Sequence, residues 1–179
     1  MKIVPEQSFA KVDEAIAAAR SPRQRAMLEN YREHMAAEIA GDVERIMATQ
    51  VAEPRYHIYG QGVGDTGPKG QAEVRQFYGH IFENRYNKLR YDIDRIFCSD
   101  ENLFHEGTLN IVFPGQVLKQ MGMPVDDPEA WYLYSYRTCA IFPYDENGLA
   151  KGEDVYSDGP MSMDRIRKLA PEELPDGLV

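Results

Sequence analysis

Tyr56-His57-Ile58-Tyr59-Gly60 runs into a glycine-rich turn and then into Gly70-Gln71-Ala72-Glu73-Val74-Arg75-Gln76-Phe77-Tyr78. The first segment is a short aromatic strand. The second opens a helix that continues to about Asn84, with Val74, Phe77, Tyr78, Ile81 and Phe82 on its buried side. His57 stands in the middle of that strand. An imidazole titrates near neutral pH, so a histidine held in an aromatic pocket is a candidate general base. A single strand histidine is more often a structural residue whose ring nitrogens are simply satisfied.

Upstream, Phe9 to Arg20 reads as a short amphipathic helix. Ser21-Pro22 restarts a helix, with Ser as cap and Pro in the first turn. That helix runs to about Ala40, and Met27, Tyr31, His34, Met35 and Glu38 share one face. Gly41 suits its left-handed end, and Asp42 suits the cap of a third helix through Met47. Downstream of Leu89 the apolar period falls to two. Strands are expected over 89–97, 103–113, 131–142 and 152–156, with Asp145-Glu146-Asn147-Gly148 turning into the last. Residues 114–130 form a long connection, and a short helix through Leu169 precedes a frayed tail. Helices, one strand, one helix and then a run of antiparallel strands describe an α+β protein with helices on one face of a curved sheet. The expected organisation is a helical extension over 1–20, one domain over 21–165 and a tail over 166–179.

Composition narrows the function. With 43% hydrophobic and 27% charged residues, the chain is a globular protein with enough length for one substantial core. The net charge of -9 and the absence of a basic cluster argue against nucleic acid and against anionic membrane surfaces. No segment is apolar enough to span a bilayer, and the N-terminus lacks the apolar run of a secretion signal. Cys98 and Cys139 form no CxxC pair, so a reduced, cytoplasmic setting is expected, with a single disulfide left open. Gly60-Gln61-Gly62-Val63-Gly64 lacks the spacing of a dinucleotide-binding turn.

Several pieces fall in a recognisable order: a helix ending in Gly41-Asp42; Tyr59-Gly60 closing the first strand; Gly70 opening the helix with Val74-Arg75-Gln76-Phe77-Tyr78; Asp145-Glu146-Asn147-Gly148; and Glu153, Tyr156 and Asp158. Over about residues 20–165 the chain resembles the nuclear transport factor 2-like (NTF2-like) superfamily, in the branch of SnoaL-type polyketide cyclases, ketosteroid isomerases and scytalone dehydratases. The resemblance implies a cone: a bent antiparallel sheet around a deep apolar pocket, and a homodimer through the convex face. It aligns the carboxylate base of ketosteroid isomerases with His57, and their oxyanion-holding tyrosine with His34, one turn from Tyr31. Their second oxyanion donor, an acid, aligns near Ala140, so steroid-isomerase chemistry itself is not expected.

Alternation on the second long strand groups Phe104, Glu106, Thr108 and Asn110, and the resemblance turns that face inward, where Glu106 would orient His57. A slip of one residue would instead send Glu106 to solvent and turn His105 in. Tyr132, Tyr134, Tyr136 and Thr138 share a face placed inward in the same way, and Glu153 fits the family's acid ahead of a tyrosine. His34 and Glu38 have the spacing of a metal pair but lack a third ligand. The expected function is a cofactor-independent lyase or isomerase using general acid/base chemistry on a small apolar aromatic or polycyclic molecule. Its reaction would be dehydration, double-bond shift, aldol-type cyclisation or retro-aldol cleavage. His57, Glu106, His34 and Tyr31 would be catalytic; Tyr134, Tyr136, Tyr59, Phe104, Asn110 and Glu153 would bind substrate; no metal or cofactor is expected. Two other readings stand beside it. One is a non-catalytic ligand-binding or dimerisation module of the same fold. The other is water activation by Asp92, Asp94 and Arg95, which strict alternation would split between two faces.

Overall fold

A computed structural model of the chain describes residues 2–62 and 64–178. Pro5–Phe9 forms a 3-10 turn that leads into α1 (Ala10–Ala17). In α2 (Pro22–Ala40), the Ser21 hydroxyl accepts from the Gln24 N–H at 3.1 Å. This satisfies one of the free donors at the helix start, and removing such a cap costs about 1 kcal/mol. Gly41 ends α2 at φ 77°, a backbone that favours glycine. Asp42 caps α3 (Val43–Ala48) in the same way. Then follow β1 (His57–Tyr59), α4 (Gly70–Glu83), β2 (Leu89–Cys98), β3 (Asn102–Pro114), α5 (Gly115–Gln120), β4 (Trp131–Pro143), β5 (Asp154–Ser157) and β6 (Ile166–Lys168).

The strands build one curved, open sheet in the order β1-β5-β4-β3-β2, with β6 paired to β4. Only β1 and β5 run parallel. The bend comes partly from a bulge in β2 between Ile93 and Arg95. One extra residue on that strand sharpens its twist and reverses which residues face in. Gly107 lies opposite the bulge, where a Cβ would meet the Asp92 carbonyl at 2.2 Å, so the close approach requires glycine. The bulge also corrects the expected alternation of Asp92, Asp94 and Arg95. Asp94 reaches Arg137, Arg95 reaches Glu106, and Asp92 reaches Arg90, all away from the concave side. A water-activating trio inside the cone is therefore not formed.

α2 and α4 cover the concave face. Val12, Met27, Tyr31, Met35, Leu103 and Phe142 make one buried cluster, so α1 contributes to the main core. Beyond Pro160 the helix expected through Leu169 is instead β6, because β4 still has an edge free beside the start of β5's pairing. The end of the chain is packed rather than frayed: Leu169 and Leu178 are buried with Ile3, Val112 and Leu133. Both cysteines are free. No described helix is long and apolar enough to cross a membrane.

Candidate active site

Between the helices and the concave sheet lies a cavity of about 390 Å³, a volume suited to a small-molecule ligand. α2 supplies Tyr31, His34 and Glu38; α4 supplies Phe77 and Tyr78; the sheet supplies His105, Leu109, Tyr134 and Tyr136; and Glu153 stands just ahead of β5. Among the residues singled out from sequence, Tyr31, His34, Tyr134, Tyr136 and Glu153 border this space.

The others point away. Ile58 in β1 and Tyr56 just before it turn inward, because Ile58 pairs with Val155 while His57 pairs with Asp154 on the outer side. His57 is thus a surface residue with its side chain 34% exposed, and Tyr59 stacks outside on Tyr156. In β3 the slipped register is the one adopted. Leu103, His105, Leu109, Ile111 and Phe113 face in, since four large apolar side chains outweigh one neutral imidazole. Glu106 consequently faces out and pairs with Arg95 and Arg137. Phe104 stacks on exposed Phe97. Asn110 is buried on the outer face, donating to Asp92 at 3.0 Å and accepting from Ser135 at 2.8 Å. Glu106 and His57 therefore do not form an acid–base pair.

The polar heart of the cavity is a chain around His34. Thr49 donates its only proton to the Ile46 carbonyl at 2.6 Å, so its oxygen accepts from His34 Nδ1–H at 3.0 Å. That fixes the tautomer. His34 Nε2 lies 3.1 Å from the Tyr78 hydroxyl, which is 3.1 Å from Glu153 Oε1. Tyr78 has one proton to give. Donated to Glu153, it leaves Nε2–H to donate to the phenol oxygen and His34 is an imidazolium. Donated to Nε2, it requires Glu153 to carry the proton that returns to the phenol oxygen. The two arrangements differ by two short proton jumps, so Tyr78 is a relay between base and acid. Burial pulls the His34 pKa down, but Glu153 and then Glu38 outweigh it and the net shift is upward. Burial above all keeps the Tyr31, Tyr56 and Tyr78 hydroxyls protonated, as donors.

Glu38 stands one helical turn beyond His34 on the cavity wall. Among the described residues no hydrogen bond or ion pair holds its carboxyl. Burial, reinforced by Glu153 and opposed by His34, pushes its pKa up to about 7. A carboxyl poised there exchanges protons readily in both directions at neutral pH. At the far end of the cavity Tyr31 and His105 share a hydrogen bond of 2.9 Å. Burial drives the His105 pKa down to about 3, so that imidazole is neutral. Among the described residues no three His, Cys, Asp or Glu side chains gather closely enough to hold a metal ion.

Sequence reasoning read Tyr78 as packing and Glu38 only as half of an incomplete metal pair. Their signal was present: Glu38 is an acid on an otherwise apolar and aromatic helix face, seven residues beyond Tyr31. His105 was visible only as the alternative register of β3.

Against solved structures, the chain overlays a SnoaL-like polyketide cyclase candidate from Shewanella putrefaciens with a TM-score of 0.63, over 83% of this chain and 87% of that one, at 11% identity. A polyketide cyclase candidate from Xanthomonas campestris gives 0.59, over 79% and 94%, at 14% identity. The fold is NTF2-like. A Mycobacterium tuberculosis protein crystallised with estradiol-17beta-hemisuccinate gives 0.55, over 79% and 98%, at 19% identity. At these identities the NTF2-like relation is one of architecture. No protein-family model and no curated protein matches the sequence.

Proposed function

We propose that this protein is a cofactor-independent lyase or isomerase that moves protons on a small apolar, ring-containing carbonyl compound. The carrying observation is Glu38, an unpaired carboxyl with its pKa near 7 inside an aromatic-walled cavity, beside the His34–Tyr78–Glu153 relay. Glu38 takes the proton from the carbon next to the carbonyl. The C–H electron pair moves onto oxygen, and the Tyr78 hydroxyl turns its proton from Glu153 to the enolate while His34 Nε2–H stays on the phenol oxygen. Return of the Glu38 proton at another carbon shifts a double bond. Loss of a β-hydroxyl as water completes a dehydration, attack on a second carbonyl an aldol-type cyclisation, and the reverse a cleavage. The steroid ester held by the Mycobacterium tuberculosis neighbour supports a polycyclic ligand in this type of cone. A homodimer through the outer sheet face belongs to the same reading, supported by exposed Phe97 and Tyr156 on that face.

The test is proton-to-deuterium exchange beside the carbonyl of 1-tetralone, followed by NMR, with 2-naphthol binding as a control. The expected result is exchange above buffer in the natural protein, reduced by roughly 10²–10⁴-fold in Glu38→Gln with 2-naphthol affinity kept. Binding of 2-naphthol with no exchange above buffer would leave a ligand-binding module of the same fold.

A further inference from the structure

Among the described residues, two buried polar atoms of cavity-lining side chains have no hydrogen-bond partner: His105 Nδ1 and the Tyr134 hydroxyl oxygen. His105 is 3% exposed and Tyr134 2%. Leaving such a group unpaired is destabilising, so each orphan asks for a partner that the described residues do not supply. They lie at opposite ends. His105 pairs across the sheet with Ala140, six residues along β4 from Tyr134, which sets their backbones roughly 20 Å apart at about 3.3 Å per residue. The His105 end is closed by the rings of Tyr31, Tyr91 and Phe142. The Tyr134 end opens between Gln61, Thr66, Ser157 and Met161, of which Thr66 is exposed.

Gln61 and Arg165 are the polar side chains that approach the Tyr134 hydroxyl, and their well-formed hydrogen bonds go to Ser157 at 2.8 Å and to Asp158 at 2.6 Å and 3.2 Å. At the other end Tyr31 occupies only one nitrogen of His105. Whichever of the two donates in that bond, the second nitrogen is left as a donor or as an acceptor. It can therefore serve a carbonyl, a hydroxyl or a phenol oxygen. Between the two ends the wall is mostly apolar and aromatic, with Glu38, the His34 relay, Thr138 and the hydroxyls of Tyr56 and Tyr136 as its polar groups.

We infer that the substrate is an elongated ring compound oxygenated at both ends, with one oxygen seated at His105 and Tyr31 and the other at Tyr134 near the mouth. This rests on the reading of the cavity as the substrate site. It predicts that recognition depends on two separated polar groups, and that a singly oxygenated skeleton is a poor ligand.

Calorimetry with two matched pairs tests it: 2-naphthol against naphthalene-2,6-diol, and 4-phenylphenol against 4,4'-biphenol. In the natural protein, the diol of at least one pair should bind about tenfold tighter than its mono-ol, the size of one buried hydrogen bond. In Tyr134→Phe that advantage should vanish while mono-ol affinity stays within about twofold. The advantage should persist in Glu38→Gln, which separates recognition from catalysis. Thermal unfolding supplies a second check, because Tyr134→Phe removes a hydroxyl that makes no well-formed hydrogen bond among the described residues and should leave Tm unchanged or raised. Equal affinities in both pairs, a diol advantage that survives Tyr134→Phe, or a clear fall in Tm would each overturn the inference.

Discussion

Two histidines stand beside carboxylates in this protein, and their surroundings make them chemically unlike. On the outside, His57 Nδ1 lies 2.8 Å from Asp65, while Arg55 donates to its Nε2 at 3.3 Å. The backbone N–H groups of Gly67 and Ile58, followed by His57, hold the Asp65 pKa at about 2. Every group there already has a partner, and the ring is a third exposed. That arrangement pins the loop after β1. On the inside, His34 is 3% exposed, with Nε2 3.6 Å from Glu153 Oε1 and the Tyr78 phenol bridging the two. A second acid, Glu38, is left unpaired one turn away. A histidine next to an acid is therefore a poor marker of chemistry by itself; exclusion of water and an incomplete set of partners distinguish the inner group.

The sharpest way to break this contrast is to change one titratable group on each side. Glu38→Gln should lower 1-tetralone exchange by roughly 10²–10⁴-fold, whereas His57→Ala should stay within about threefold. A reversed ranking in the NMR exchange assay would place the chemistry on the outer face. Tyr78→Phe should cost less, about 10²-fold, since it interrupts the relay and leaves Glu38 in place. It should also change the pH profile of exchange, and an unaltered profile would reduce Tyr78 to packing.

Glu38 also has a stability cost. Its folded pKa, about 7, is above the ordinary carboxylate value of 4.5. Below the unfolded value the group is neutral in both states and contributes nothing. As pH rises through that window the folded state increasingly resists its ionisation, and above 7 the full penalty applies. Glu38→Gln should accordingly stabilise the fold by on the order of 1–3 kcal/mol at pH 8, with little change at pH 4. Urea unfolding at both pH values checks this, and a destabilised variant at pH 8 would contradict it. The smallest effect belongs to the outer face. Glu106→Gln loses exposed ion pairs to Arg95 and Arg137 and should cost about 0–1 kcal/mol with no change in exchange.

The helices from Ser21 to Asn84 were legible in the sequence because their signals are local, whereas the cone came from the family resemblance. Ser21-Pro22, Gly41-Asp42 and the Val74–Tyr78 stripe each act within a few residues. Strand facing was not legible, because it is set by partners far along the chain. Residues 56, 58 and 59 are all apolar or aromatic, so either parity buries comparable surface, and the pairing of Ile58 with Val155 decides. In β3 the polar alternates drew attention to Glu106, yet the apolar odd-numbered set is the one the core collects. The β2 bulge at Ile93 and Arg95 has no local signature in the sequence. Misplacing these strands by one residue exchanged a surface histidine for the cavity's acids.

The most direct measurement is a pH titration of the Glu38 side-chain carboxyl by ¹³C NMR, with and without 2-naphthol. The account predicts a midpoint near 7 that moves when the ligand binds. A midpoint at the ordinary carboxylate value, indifferent to ligand, would contradict it.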